Sequence, residues 1–599
     1  MRGFKKLYIS MAASVFCSIA LGQQVGKGDA IVHAENPLMN ESGEVRYKIG
    51  LNPFYTNTLE EKAGAAGYIQ ADILKSKIND PAIERPAVRM VSDMIAASIK
   101  RKPLKVRSWV ATEFEMEAFP DEISRILGAE GVVSVSEVEG KPSKFVFSQS
   151  TTIAPGDLYS GSEIIPWWKI YTNTNDSNTY ELSGNIFFVI DGPIVSPIST
   201  DLAFGLNYSY ESSAWSGDPN YWPFWHAAHV DGVIAAKNNN QLIRGINPGQ
   251  PLIHLGGPLT DTAILDRLNY AMAYSELTYN WAALNMSFNN GAAESEYWNQ
   301  FEFSKDIGRA MAVVSNRNII LQSAGNNNDS SCGWGYGFYG DAPAWDGIML
   351  IGGHDSSGQR STNDYVYFNN GYGLGNVPGS NYGPCVELWA PSKQITSLRY
   401  NSSVTQVLSG TSFSAPIAAA IAMRHGNSLT RPLQREWFLK KNAQYTGSSA
   451  GGTPIYSARW NSSPNSLTRH AISSVWSPQT TANISNLYNG NYSDIWNSGG
   501  NIGTIVIDLG AYRNVKFIRL TPRSSVALWD IYPINFSVAP SSDYAGSSVG
   551  AYQNYNTPKH GDRAPITIPL SDLYTRYIVV NGHNHGSWLA YSEVEVYGQ

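Results

Sequence analysis

The rhythm of apolar and polar positions changes three times along this chain, and each change predicts a different kind of structure. Near the middle the apolar residues come in unbroken runs. Ile186-Phe187-Phe188-Val189-Ile190 ends at Asp191-Gly192. Such a run predicts a strand buried on both faces, with a carboxylate at its C-terminal edge. His226-Ala227-Ala228-His229-Val230 opens a small, apolar stretch reaching Ala236, which predicts a helix. Gly410-Thr411-Ser412-Phe413-Ser414-Ala415-Pro416 is a polar, glycine-led turn, and Ile417 to Met423 follows as an apolar run. That pattern predicts a loop feeding the first turn of a buried helix. Upstream the signals are weaker. Gly, Asn and Pro punctuate residues 23 to about 85, with one predicted helix near Thr58 to Ile78. Val106 to Phe114 alternates like a half-buried strand, Asp121 to Leu127 predicts a helix started near Pro120, and Gly131 to Val138 predicts a second strand. Beyond about residue 467 helical periodicity stops. Short strands bounded by turn residues take over at 504–510, 515–520, 576–580 and 592–598, the pattern of a β-sandwich.

The candidate chemistry sits at the ends of the central runs. Ser412 lies where free backbone N–H groups and the positive end of a helix dipole can stabilise an oxyanion. A serine is a poor nucleophile at neutral pH, so it needs a base and a group that orients the base. His226 and Asp191 supply both types. Asp191 ends a predicted strand, the edge at which open α/β sheets build their sites. Taken singly, Ser412 reads as a helix cap, Asp191 as a turn former and His226 as an ordinary surface or core histidine. Taken together, in the order Asp191, His226, Ser412, they read as a catalytic triad.

These residues carry a resemblance to the subtilisin-like serine proteases (subtilases), over roughly residues 160–460. Residues 410–416 match the family's G-T-S-x-[AS]-x-P at every fixed position. The family's H-G-T-H-V-A-G reads His226-Ala-Ala-His229-Val-Asp231-Gly232 here, and its D-[ST]-G reads Asp191-Gly192-Pro193. Ile319 to Asn326 resembles the strand that ends in A-A-G-N, and Ala283 to Gly291 stands where the family has N-M-S-L-G-G. The resemblance implies an α/β parallel-sheet catalytic domain and a secreted serine endopeptidase acting on protein or peptide substrates. It implies that Asn326 and the Ser412 N–H form the oxyanion hole, and that Ser287, Phe288 and Asn289 pair with an extended substrate. Phe288 and Asn289 replace smaller or softer family residues, which predicts a narrowed or reshaped entrance to the pocket for the residue before the cleaved bond. Catalysis of this kind needs no cofactor. His229 is expected to be structural. Asp231 is a charge where the family has alanine. A catalytically weak or inactive scaffold that binds surfaces or glycans is the alternative reading.

The flanks carry looser resemblances. The strand–helix–strand pattern at about 86–140, inside a pro-region of 23–150, is similar to the small α+β subtilase propeptide. That likeness implies self-cleavage between Glu139 and Ile164. Residues 467–599 resemble the discoidin (coagulation factor type C), galactose-binding-like β-sandwich, a jelly roll. Asn489 to Trp496 is similar to its D-G-x-x-x-T-x-W turn, Ile507 to Gly510 to its V-D-L-G, and Glu593 to Gly598 to its closing E-x-E-V-Y-G. The likeness implies a glycan or cell-surface ligand and a structural Ca²⁺ near Asn489, Asp494 and Glu593.

Composition fits this division. The 599 residues suffice for about three or four domains. Charged residues make up 15%, below the globular norm of about 25%. A net charge of −6 gives no electrostatic case for nucleic acid or anionic membrane. Arg2, Lys5 and Lys6 precede a short apolar core, Leu7 to Leu21, and Ala20-Leu21-Gly22 offers small residues for cleavage before Gln23. Residues 1–22 therefore read as a signal peptide, and no other stretch is long and apolar enough to span a membrane. Removal of Cys17 with that segment leaves Cys332 and Cys385, for which export permits a disulfide; two free thiols are the other reading.

Overall fold

The computed structural model describes residues 31–32, 45–51, 92–93, 103–107, 113–118, 122, 125–126, 129, 132–137, 148–149, 154–175, 185–194, 201–202, 204–209, 222–289, 301–329, 345–367, 374–399, 405–461, 467–480, 482–492, 494–522, 534–556, 566–584 and 589–599. The expected signal peptide, the helix near Thr58 to Ile78, and Cys332 lie outside them.

A nine-stranded sheet organises the middle of the chain. Its strands are β1 (Phe187–Asp191), β2 (Phe204–Ser209), β3 (Leu252–Gly256), β4 (Ala282–Met286), β5 (Asn318–Ser323), β6 (Ile348–His354), β7 (Leu388–Pro391), β8 (Gln444–Ala450) and β9 (Thr453–Ser457). They lie in the order β2-β3-β1-β4-β5-β6-β7-β9-β8. All neighbours run parallel except the β8–β9 hairpin. From β1 the chain first builds outward to one side, through β2 and β3, and then returns to build the other side from β4. Asp191 thus ends the strand at the topological switch point, where crevices form in such sheets.

The unbroken apolar runs are explained by helices on both faces. Along β1 successive side chains alternate faces. Phe187 and Val189 pack with Val230 and Val233 of α1 (Trp222–Ala235) and with Ile417 and Ile421 of α4 (Thr411–Arg424). Phe188 and Ile190 pack with Leu265 and Leu268 of α2 (Asp261–Thr278) and with Met311 and Val314 of α3 (Phe301–Val314). Every residue of α4 is buried, so its alanines serve close approach to the sheet and to α1. A buried helix end needs partners for its last carbonyls. Arg435, on α5 (Pro432–Asn442), donates to the carbonyls of Ala422 (2.8 Å), His425 (2.5 Å), Asn427 (2.7 Å) and Thr430 (3.2 Å). Burial lowers this guanidinium to about 9. Replacing it by methionine strands those carbonyls, and a loss of about 3 kcal/mol is expected in the denaturant midpoint; an unchanged midpoint would refute the capping role.

The N-terminal region forms a five-stranded sheet, in the order 31–32, 132–137, 45–51, 113–118, 103–107. This corrects the expected start near residue 86. Val45–Leu51 is a central strand, antiparallel to both Glu113–Ala118 and Val132–Glu137. Val45, Tyr47, Ile49 and Leu51 alternate with polar residues, and Tyr47 and Ile49 are buried, but flanking Gly, Asn and Pro hide the pattern. The expected strand over 106–114 is two strands, Pro103–Arg107 and Glu113–Ala118. Glu115 is buried and accepts a hydrogen bond from Thr262 Oγ1 (3.1 Å) in the first turn of α2. Downstream, Ser148–Gln149 pairs antiparallel with Leu408 and Ser409, just before Ser412.

The C-terminal residues form an eight-stranded antiparallel sheet around one core that includes Trp496, Ile507, Ile518, Val580 and Val594. The predicted strands at 504–510 and 515–520 are one bent strand, Ile502–Pro522; those at 576–580 and 592–598 fall within Ile566–Asn584 and Ala590–Gly598. This sheet docks at the N-terminal ends of β4, β5 and β6. Leu433, Trp437, Leu467, Phe517 and Tyr597 form a joint apolar cluster with Trp345 against it. Arg317 lies over the rings of Trp281 (4.4 Å) and Tyr492 (5.1 Å) and donates to the Gly490 carbonyl (2.6 Å). Arg431 pairs with Glu595, and Arg519 donates to the Asp346 carbonyl (2.9 Å).

Asp346 sits in this seam beside Glu436, while Lys440 bridges Glu387 and Glu436 at 2.6 Å each. Burial and then the Glu436 charge raise the Asp346 carboxyl from 3.8 to about 7. The folded chain thus holds a proton that the unfolded chain releases between pH 4 and 7, so this group's contribution to stability falls as pH rises through that window and levels off above it. Asp346→Asn should flatten the fall in melting temperature between pH 4.5 and 7; parallel curves for variant and wild type would contradict it.

Candidate active site

Three crossings of the sheet's C-terminal edge bring the predicted residues together. Asp191 ends β1 and is fully buried. Its Oδ1 accepts from His226 Nδ1 (2.8 Å) and from the Gly192 N–H (2.6 Å). Its Oδ2 is buried and takes no hydrogen bond among the described residues. His226 lies in the second turn of α1. Its ring contacts that of Phe413 (5.8 Å), the residue after Ser412, which sets the imidazole beside the start of α4. His229 packs closer on Phe413 (4.5 Å). Burial, then the His226 charge, holds His229 well below the ordinary histidine range, so it is a neutral core group, as expected.

Ser412 is the second residue of α4, and Pro416 lies inside the same helix. A helical N–H at position 416 would bond the Ser412 carbonyl, and proline has none. Ser287 Oγ donates there instead (2.7 Å), and Ser412 Oγ donates back to the Ser287 carbonyl (3.0 Å). The proline of the serine motif therefore leaves room for a reciprocal serine clamp. Ser287→Ala strands a buried carbonyl, at about 1–3 kcal/mol. It should lower kcat about tenfold with a smaller change in KM; unchanged kcat on a peptide substrate would remove the clamp from the account.

Asn326 follows β5. Its Oδ1 accepts from the Thr411 N–H (2.8 Å) and Thr411 Oγ1 (3.0 Å). It therefore caps the helix that carries Ser412 with its amide oxygen. Gly325, at φ +102°, is required here, because a Cβ would collide with the amide nitrogens of Asn289 and Asn381. Asn381 in turn donates to the Ala324 carbonyl (2.9 Å) and accepts from the N–H groups of Asn327 (2.9 Å) and Asp329 (3.1 Å).

One expectation for the substrate segment needs correction. The Phe288 side chain is 2% exposed and packs in the core with Ile190 and Met286, so it cannot narrow a pocket entrance. Asn289 sits under Gly325 instead. The calcium set does not fit either. Asn489, Asp494 and Glu593 do gather, but Glu593 accepts from Arg469 Nη2 (2.7 Å) and the Gly490 N–H (3.0 Å). The Asn489 amide nitrogen donates to Asp494 Oδ2 (3.1 Å), and its oxygen accepts from the Asn491 N–H (2.8 Å). An arginine already neutralises Glu593, and a hard cation would find too few open oxygens. Among the described residues no cluster of three His, Cys, Asp or Glu could hold a metal. Cys385 is buried and disulfide-bonded.

The family model described as the subtilase family matches residues 196–435. Residues 196–435 form a subtilase domain. His226, Asn326 and Ser412 lie inside the match and Asp191 just before it, so it is the 2.8 Å contact that joins the acid to the domain. A thermostable alkaline protease of Halalkalibacterium halodurans is 24% identical over 300 residues, covering 48% of this chain and 70% of that protein. An alkaline extracellular protease of Yarrowia lipolytica is 30% identical over 158 residues, covering 26% of this chain; the chain spans 30% of that relative's length. A solved structure of a cold adapted subtilisin-like serine proteinase is 22% identical and covers 48% of this chain and 93% of its own, with a TM-score of 0.35.

The sequence pattern missed three groups behind the subtilase site: His254, Arg267 and Asn381. His254 interrupts an otherwise apolar strand and Asp231 puts a charge into a small, buried helix segment, and that pair of polar residues was the available signal. Among the described residues no helix is long and apolar enough to cross a membrane.

Proposed function

We propose that the chain is an exported serine endopeptidase, made as a precursor, that hydrolyses peptide bonds with Asp191, His226, Ser412 and Asn326. The observation that carries this reading is the buried Asp191–His226 contact lying beside the helix start that holds Ser412. Ser412 Oγ attacks the peptide carbonyl while His226 takes its proton and passes it to the leaving amine. Asp191 fixes the tautomer with the proton on Nδ1 and stabilises the imidazolium. The Asn326 amide nitrogen and the Ser412 N–H receive the oxyanion. All of these groups are side chains or backbone of this chain, so the reaction draws on no metal or organic cofactor.

Export is supported by the charged and apolar N-terminal pattern and by the extracellular relative. With Cys17 removed, Cys332 is the partner left for Cys385. The five-stranded N-terminal sheet, gripping α2 through Glu115, acts as the propeptide. Self-cleavage falls before Ala154, whose N–H already bonds Asp157 (2.9 Å) and Thr396 (3.0 Å) within the subtilase domain. The C-terminal jelly roll of discoidin type holds a glycan or surface ligand. A phosphonofluoridate reagent tests the catalytic claim: one label per chain is expected, on the peptide containing Ser412. A folded, processed chain without that label would favour the inactive, surface-binding scaffold.

A further inference from the structure

Behind the catalytic acid lies a second aspartate–histidine pair. Asp231 is on α1 and His254 on β3, and both are fully buried. His254 Nδ1 lies 3.0 Å from Asp231 Oδ2, and His254 Nε2 lies 2.8 Å from the Gly192 carbonyl. Gly192 is the residue after Asp191. On the neighbouring backbone, Arg267 of α2 donates to the carbonyls of Asp191 (3.3 Å), Leu255 (3.4 Å) and Pro258. The turn is packed from below as well: a Cβ at Gly256, which pairs with Asp191, would meet the Pro193 Cα at 2.8 Å and the Gly192 carbonyl at 3.1 Å.

We propose that Asp231 and His254 are positioning residues that share one proton and thereby clamp the turn bearing Asp191. The claim rests on Asp191 being the triad acid. The proton count follows from the contacts. A carbonyl only accepts, so His254 Nε2 carries hydrogen. Nδ1 and Oδ2 meet at ion-pair distance without hydrogen-bond alignment, and an unprotonated Nδ1 that close to a carboxylate would be repulsive, so the pair keeps a second proton. The pair is then electrically neutral. The titratable groups facing it are Asp191 and His226. A neutral pair adds no second net negative charge beside Asp191 and His226. Burial raises the Asp231 carboxyl. For His254 burial is the largest influence and lowers it, but the Asp231 charge and contact, the Gly192 carbonyl and the Asp191 charge together raise it above the ordinary histidine value; both directions favour keeping the proton. The clamp matters here because the front of the acid is thinly held: Gly192 offers no hydroxyl, Pro193 no N–H, and Oδ2 takes no donor among the described residues.

The test uses the full chain, with active sites counted by the phosphonofluoridate so that rates are per competent site. Asp231→Ala should lower kcat about tenfold or more with KM changed less than about twofold. The acid limb of its kcat/KM profile should move to lower pH, because a loosened Asp191 supports the imidazolium less. Asp231→Asn can donate to a neutral Nδ1 while Nε2–H still holds Gly192, and should recover kcat to within about threefold with the limb near its wild-type position. A per-site kcat and acid limb in Asp231→Ala equal to wild type would overturn the proposal. Should that variant yield no labelled sites, the asparagine variant decides: recovery supports the shared-proton clamp, and a loss of about tenfold or more overturns it. Absence of labelling in wild type would instead overturn the triad reading itself.

Discussion

Ser412→Ala should leave the precursor at full length and cut peptide hydrolysis by about a million-fold, on the order of 8 kcal/mol of barrier. The effect is large because the hydroxyl is the attacking atom and its partners act as a unit with it. His226 then has no proton to accept, and the oxyanion donors have no tetrahedral centre to serve. The fold should survive. Ser412 Oγ contributes one hydrogen bond, to the Ser287 carbonyl, while Ser287 Oγ still bonds the Ser412 backbone. Gel mobility and intact mass after expression give the first readout, and hydrolysis of an unstructured peptide gives the second. Equal processing by variant and wild type would mean that another protease matures the chain. Equal peptide hydrolysis would remove Ser412 from the chemistry altogether.

Asp191→Asn should cost about 10⁴ in kcat with the fold intact. The carboxylate accepts from His226 Nδ1 at 2.8 Å, which places the imidazole proton on that nitrogen and leaves Nε2 basic. An asparagine amide nitrogen in the same place donates to Nδ1 and drives the proton to Nε2. The base is then blocked where it must act. The Gly192 N–H bonds that same Oδ1 (2.6 Å) and loses its acceptor in this placement, so the turn loosens as well, and serine-reagent labelling should slow in parallel with kcat. Retention of more than about a tenth of wild-type kcat would show that Asp191 is not the orienting acid.

Much of the candidate site was legible in the residues because Asp191 closes a strand, Asn326 follows one and Ser412 opens a helix, each with its own pattern. The apolar run before Asp191 could only be a doubly covered strand, and it proved to be β1. The motif at 410–416 carried its own cap and turn. Interactions between distant elements were not legible. Nothing local distinguishes Phe288 as a core side chain from Phe288 as a pocket wall, because the choice depends on α2 and α3 closing over that face. The calcium expectation failed for a similar reason: Arg469, 124 residues before Glu593, supplies the positive charge. The pairing of Asp231 with His254 crosses from a helix to a strand, and a one-dimensional reading registers it only as two misplaced polar residues.

The C-terminal sheet seals the blunt base of the parallel strands, and the candidate site lies at their opposite tips. Strands of five to seven residues put on the order of 20 Å of rigid protein between the two. If the sheet's exposed side is moored to a polymer, the mouth of the enzyme points outward from its own mooring. It would then spare the material it stands on and act on chains arriving from the surrounding fluid.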